Sequence, residues 1–196
     1  MKKLLLGIAA VCLAGFTFAQ DAPLWMRHSV ISPDGTTIAF TYKGDIYTVP
    51  VAGGRAMQIT TNPAYDTAPV WSPDSKRIAF ASDRMGSLDV YIVAKDGGEP
   101  RRLTTHSGSE TPLAFTDAGH VLFSAGIMPS AEAVVFPSNG QFNQVYRVSV
   151  EGGRPTMISS MPMECISINK EGAMLYQDKK GYEDYWRKHH VSPIAD

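Results

Sequence analysis

The side chains best suited to recognise a ligand lie in two short segments of the sequence. Five of them occur near the C-terminal end: Tyr182, Tyr185, Trp186, Arg187 and His189. The aromatic members could grip a peptide or cap the outer edge of a sheet. The other two are Asp83 and Arg84, for which we weigh a ligand contact against an ion pair within a turn. We treat these seven residues as a candidate binding rim for a peptide or protein.

Sequence motifs for catalysis and metal binding are missing from the chain. Ser107-Gly108-Ser109 does not match the Gly-x-Ser-x-Gly elbow of a hydrolase, and there is no His-Glu-x-x-His or Cys-x-x-Cys. Adjacent residues on a strand face opposite sides, so His189-His190 does not predict a metal site. No paired-carboxylate spacing stands out. We therefore predict no catalytic residue, no metal and no cofactor in this chain.

A repeated pattern indicates which elements position the rim. An apolar pair, a turn of the Ser-Pro-Asp-Gly type and an apolar triplet ending in an aromatic residue recur four times, with the aromatics at Phe40, Phe80, Phe123 and Tyr176. Three copies continue to a tyrosine and a glycine pair, with the tyrosines at Tyr47, Tyr91 and Tyr146. Short runs of Val, Ile, Phe and Tyr separated by Pro, Asp and Gly turns predict antiparallel strands.

The repeat length and strand number predict the fold. Four short strands, A to D, in repeats of about 40–45 residues are typical of a β-propeller. We predict an all-β partial propeller of four-stranded antiparallel blades, with three complete blades and the start of a fourth. The mature chain, residues 20–196, divides into repeats at about 27–62, 66–106, 109–160 and 162–196.

Length variation between the repeats falls in one connection. The step from the strand-B aromatic to the strand-C tyrosine is 7, 11 and 23 residues in successive copies, whereas the step from that tyrosine to the glycine pair is always 6. Insertions on one face of a repeat protein often mark its binding face. The B–C loops, which include Asp83 and Arg84 and the segment 182–189, are therefore the predicted functional rim.

The blade motifs resemble a known repeat family. Trp71-Ser72-Pro73-Asp74 through Arg84, with Asp89-Val90-Tyr91 and Gly97-Gly98, looks like the TolB-type, WD40-like propeller repeat. Pro23-Leu24-Trp25-Met26-Arg27 and Gly181-Tyr182-Glu183-Asp184 are similar to exported bacterial tricorn-protease homologues. In that family a propeller precedes a PDZ-like domain and a serine-peptidase domain, and it is thought to guide peptide substrates.

This resemblance implies a binding and substrate-gating module of an exported serine peptidase, without catalytic residues of its own. Two alternatives remain open. One is a stand-alone TolB-like periplasmic scaffold for protein interactions. The other is the propeller of a prolyl-oligopeptidase-type hydrolase.

The N-terminus and the charge balance bear on location and partners. Lys2-Lys3, an uncharged run to Phe18 and Thr17-Phe18-Ala19 are typical of a signal peptide at residues 1–19. Cleavage there leaves 16 basic and 19 acidic residues, a formal charge of −3. That balance gives no basic face for nucleic acid and no polybasic membrane patch. We expect an exported, periplasmic protein with no membrane span after cleavage, which self-associates through open propeller edges.

Overall fold

Each sheet is built from strands that are consecutive in sequence. The computed structural model describes residues 25–126, 143–160, 163–169 and 172–178. Those ranges contain fourteen strands and no helix. Consequently, no helix in the described part of the chain is long and apolar enough to cross a membrane.

Three four-stranded antiparallel sheets and one hairpin follow one another along the chain. Blade 1 contains β1 (Arg27–Ile31), β2 (Thr37–Tyr42), β3 (Asp45–Pro50) and β4 (Met57–Gln58). Blade 2 contains β5 (Asp66–Trp71), β6 (Arg77–Ser82), β7 (Asp89–Ala94) and β8 (Arg101–Arg102). Blade 3 contains β9 (Glu110–Asp117), β10 (His120–Ala125), β11 (Gln144–Ser149) and β12 (Thr156–Ser159). The hairpin pairs β13 (Met163–Ile168) with β14 (Met174–Asp178).

The strand order confirms the predicted partial propeller. Within each blade the strands pair in the order A, B, C, D, and the hairpin supplies strands A and B of a fourth blade. The four A strands, β1, β5, β9 and β13, are neighbours in that order. This places the A strands on the inside of the arc and the short D strands on its outer side.

The Ser-Pro-Asp turns close the A–B hairpins through side-chain hydrogen bonds. Ser32 Oγ donates to Asp34 Oδ1 at 2.5 Å and accepts from Thr37 N at 3.0 Å. In blade 2, Ser72 Oγ donates to Asp74 Oδ1, also at 2.5 Å. The hydrogen bond from Ser32, with those from Thr36, lowers the pKa of Asp34 to about 2. The turn motif is therefore structural in both blades.

Apolar side chains form the core between blades, where one sheet packs on the next. One cluster joins Ala39, Ile46 and Ile59 of blade 1 to Trp71, Ile78, Phe80, Tyr91 and Val93 of blade 2. A second cluster joins Ala79, Val90, Ile92 and Leu103 to blade 3, with Phe115, Phe123 and Tyr146 among its members. Trp71 and Phe115 therefore pack between neighbouring blades.

Candidate functional site

The B–C connections lie on one face of the blades, which we call the B–C face. In blade 2 this face is marked by Asp66, Ser82 and Asp89, which pair side by side at the ends of β5, β6 and β7. The opposite face carries the A–B and C–D turns, which are joined by a hydrogen bond from Lys95 N to Lys76 O of 2.9 Å. The B–C connections 43–44 and 83–88 are therefore on the B–C face. In blade 3, β10 ends and β11 begins at this same face.

Arg84 spans the B–C face of blade 2. Its Nη2 lies 3.1 Å from both carboxylate oxygens of Asp66, which is fully buried. Its Nε donates to Ser82 Oγ at 2.8 Å. The guanidinium carbon also sits 4.4 Å from the ring centroid of Tyr91, within the range of a cation–π contact. Arg84 thus neutralises a buried acid and keeps a fixed orientation.

Asp83 has a turn role in the structure. Its Oδ1 accepts a hydrogen bond from Tyr65 N at 2.8 Å, and its carbonyl oxygen accepts one from Gly86 N at 2.8 Å. The first bond ties the connection before β5 to the B–C loop of the same blade. Asp83 therefore shapes this face through its backbone neighbours, while Arg84 contributes to its surface.

A cavity of about 650 Å³ opens between the link from blade 1 and the outer part of blade 2. Its charged and aromatic lining consists of Arg84, Arg102, Tyr91 and Glu99. Met85, which is 65% exposed, stands among the lining residues. The remaining lining comes from residues 59–63, Gly98 and Pro100. A space of this size, with two oriented guanidiniums and an exposed apolar side chain, suits a short peptide segment better than a single small ion.

A second charged group lies between blades 2 and 3. Arg102 Nη2 is 2.8 Å from Asp89 Oδ2. Asp89 and Glu110 are both fully buried, and none of their four carboxylate oxygens has a well-aligned hydrogen-bond partner among the described residues. Burial raises the pKa of Glu110 to about 7, and the Asp89 charge adds to the rise against the lowering effects of Thr104 and Arg102. Arg102 belongs both to this cluster and to the lining of the cavity.

Among the described residues, no three His, Cys, Asp or Glu side chains converge in a way that would hold a metal ion. What the arrangement offers chemically is charge and shape. Two arginines are held by buried acids on one side and face a cavity on the other, and the neighbouring B–C loops differ in length.

The family of the chain follows from comparison with known proteins. The model of the tricorn protease N-terminal beta propeller domain matches residues 23–192. The chain belongs to this family. The predicted resemblance to tricorn-type and TolB-type propellers is thereby confirmed.

Individual relatives agree with this assignment. Tricorn protease homolog 1 of Streptomyces coelicolor is 35% identical over 102 residues, which is 52% of this chain and 9% of that protein. The uncharacterized peptidase YuxL of Bacillus subtilis is 30% identical over 129 residues, 65% of this chain and 20% of that protein. The chain therefore spans only a small part of these relatives.

Solved structures agree in fold. The crystal structure of TolB from Acinetobacter baumannii aligns with a TM-score of 0.61 and 18% identity, covering 81% of this chain and 39% of that chain. At this level of identity the likeness shows the propeller fold and no shared binding activity.

Only two of the seven predicted rim residues are among those that the structure describes. Asp83 and Arg84 lie together on the B–C face, Arg84 at the cavity. The other five rim residues, Tyr182, Tyr185, Trp186, Arg187 and His189, lie outside the described residues, as do residues 1–24. Their role in binding stays a prediction.

The acid pairs between blades were missed at the sequence level, although a signal for them exists. Asp45 precedes Asp66 by 21 residues, and Asp89 precedes Glu110 by the same interval. In each pair the first acid starts strand C of one blade and the second starts strand A of the next. Burial also raises the pKa of Asp45, with Asp66 contributing. The constant interval of 21 residues, rather than a local motif, is the sequence signal for these acid pairs.

Proposed function

We propose that this tricorn-type propeller is the substrate-binding and gating module of an exported serine peptidase, and that peptide segments enter at the B–C face. The match to the tricorn N-terminal propeller over residues 23–192 carries the proposal. The two peptidase relatives support it. Propellers commonly serve as binding surfaces for peptides and proteins, with variable loops setting the specificity.

The cavity, which extends along blade 2 from Arg84 and Met85 on the B–C face to Gly98 and Pro100 of the C–D turn, provides the chemistry for such binding. The two arginines supply donors whose positions are fixed by buried acids, so little side-chain ordering is needed when a ligand arrives. Met85 supplies exposed apolar surface at the same cavity. A peptide backbone needs both hydrogen-bond donors and apolar contact, and this combination offers both.

A substitution at the cavity tests the proposal with a matched control. Met85→Asp places a charge where apolar contact is proposed, and we expect it to weaken binding of fluorescein-labelled peptides by roughly fivefold or more in anisotropy titrations. Met157→Asp changes a methionine that is 44% exposed on β12, away from the cavity, and should leave affinity unchanged. Equal losses in both variants, or none in either, would contradict the proposal.

The peptidase itself is a further part of the proposal. The domain that cleaves peptides would be supplied by a longer protein, and this chain alone should not hydrolyse peptides. Reading the gene beyond Asp196 tests this directly. A PDZ-like and a serine-peptidase segment support the proposal, an α/β-hydrolase segment with a Gly-x-Ser-x-Gly elbow supports the prolyl-oligopeptidase alternative, and further blades followed by a stop support the scaffold.

We also propose that the protein is exported to the periplasm after cleavage following Ala19. The support is the charged, apolar and small-residue order of residues 1–19. N-terminal sequencing of the protein recovered from a periplasmic fraction should begin at Gln20. An N-terminus at Met1 in the cytoplasmic fraction would contradict it.

A further inference from the structure

The charged groups of blade 2, together with Glu110 at the start of blade 3, form a connected series with one acid in excess. Asp66 pairs with Arg84, and Asp89 pairs with Arg102. The ring of Tyr91 stacks against Arg84, and the pKa of Tyr91 responds to both arginines and both aspartates. Glu110 is a third fully buried acid, and no guanidinium of the described residues pairs with it directly. Among those residues two positive charges balance two carboxylates, and the third carboxylate is left without compensation.

Among the described residues, Glu110 faces few other groups that could supply that compensation. From blade 2 it meets Asp89 on β7, Arg102 on β8 and the hydroxyl of Thr104. Within its own blade, its direct partner on β10 is Ala125, which carries no charge. Thr104 Oγ1 accepts a hydrogen bond from Val90 N at 2.9 Å, and its O–H donates to Glu110, which lowers the pKa of that carboxyl without supplying a positive charge.

A buried carboxylate without a positive partner is costly, and such a group usually binds a proton instead. A protonated Glu110 can donate its O–H to an oxygen of Asp89, whose two oxygens lack a well-aligned donor among the described residues. Ionised, the two groups would repel each other across the boundary between blades 2 and 3.

We propose that a proton held between Glu110 and Asp89 fastens blade 2 to blade 3, and that its release at mildly alkaline pH loosens this joint. The joint lies on the B–C face, at the end of β10 where the connection 126–143 begins. The loosening therefore acts at the point where the B–C connection of blade 3 leaves β10. This device does not depend on whether the cavity binds peptides.

The direction of the pH effect follows from proton linkage. The pKa of Glu110 is raised from its ordinary 4.5 to about 7 in the folded protein. Between these values the folded state binds more protons than the unfolded state, so stability falls as pH rises. The contribution of the proton is complete below about pH 4.5 and is lost above about pH 7.

Thermal unfolding across this range tests the proposal. We expect the Tm of the unmodified chain to fall by roughly 5 °C between pH 5 and pH 8 relative to the Tm of Glu110→Gln, which cannot ionise. Glu110→Gln should match the parent protein at pH 5 and exceed it at pH 8. Glu99→Gln, the same change at an exposed glutamate, should follow the parent curve throughout.

A merely structural role for Glu110 gives a different result. Glu110→Gln would then lower the Tm equally at both pH values, and parallel curves of this kind would overturn the proposal. Asp89→Asn provides a second test if Glu110→Gln does not fold. Removing the negative charge beside Glu110 should move the pH-dependent loss of stability to lower pH, and an unmoved midpoint would also overturn the proposal.

Discussion

Arg84 and Arg102 line the same cavity, but buried acids hold them in different ways. Arg84 reaches both oxygens of Asp66 and also bonds Ser82, so its guanidinium is fixed on two sides. Arg102 contacts one oxygen of Asp89, and its Nε has no hydrogen-bond partner within the described chain. Arg84 is therefore the more constrained of the two. Arg102 is the more accessible to a ligand, because its side chain is 29% exposed compared with 13% for Arg84.

Removing the Arg84 guanidinium should destabilise the fold. Arg84→Ala leaves the fully buried Asp66 without its counter-ion, and we expect a loss of about 3 kcal/mol in the free energy of unfolding, measured with urea. Arg55→Ala removes an exposed arginine and should change that free energy by less than about 0.5 kcal/mol. Equal urea midpoints for Arg84→Ala and the parent chain would show that Asp66 does not need this partner.

At the scale of elements, blades tolerate different B–C connections because the strand register on either side does not change. In each blade the strand-B phenylalanine pairs directly with the strand-C tyrosine, as Phe80 does with Tyr91. The rings stack with centroids 5.7 to 5.9 Å apart in all three blades. An insertion between the two residues lengthens the loop and leaves their contact intact, so the B–C face can vary while the blade stays the same.

The packing between elements predicts a second mutational result. Trp71 on β5 is 8% exposed, packs in the core between blades 1 and 2, and donates its Nε1–H to Val30 O at 3.2 Å. Trp71→Ala should therefore cost about 3–4 kcal/mol of unfolding free energy and increase hydrogen exchange in β1 and β2. Trp25→Ala, at a tryptophan that is 71% exposed, should cost far less. Similar losses in the two variants would contradict the assigned core.

The strands and turns were predictable from the sequence because their causes are local. Ser-Pro-Asp turns and alternating apolar residues act over a few positions, and the predicted hairpins formed at Ser32 and Ser72. Contacts between blades were harder to predict. Glu110 meets Asp89 only after blades 2 and 3 have packed, and no motif within one blade predicts that meeting. Arg84 meets Asp66 within blade 2, but the two residues lie 18 positions apart, on the B–C loop and on strand A.

For the molecule as a whole, the face of blade 1 that points away from blade 2 has no blade against it within the described chain. Ile31 occupies the repeat position of Trp71 and is 58% exposed, compared with 8% for Trp71. Large exposed apolar faces tend to mediate association. We propose that in this isolated chain the face docks on the far side of another copy, in place of a neighbouring blade.

Sedimentation velocity tests this association. The weight-average sedimentation coefficient should rise between about 1 and 100 μM, since weak interfaces of this kind have micromolar dissociation constants. Ile31→Asp should suppress the rise, while Met157→Asp, at an exposed methionine on the outermost strand of blade 3, should leave it unchanged. A monomer at every concentration would contradict the proposed association.

The central claim is that ligands meet this tricorn-type propeller on the B–C face, and site-specific photo-cross-linking tests it most directly. A photoreactive residue at Met85 lies at the cavity, and one at Thr36 lies on the opposite face, in the A–B turn of blade 1. With labelled peptides, the account predicts cross-linked peptide from position 85 and none above background from position 36. Cross-linking at position 36 with none at position 85 would contradict it.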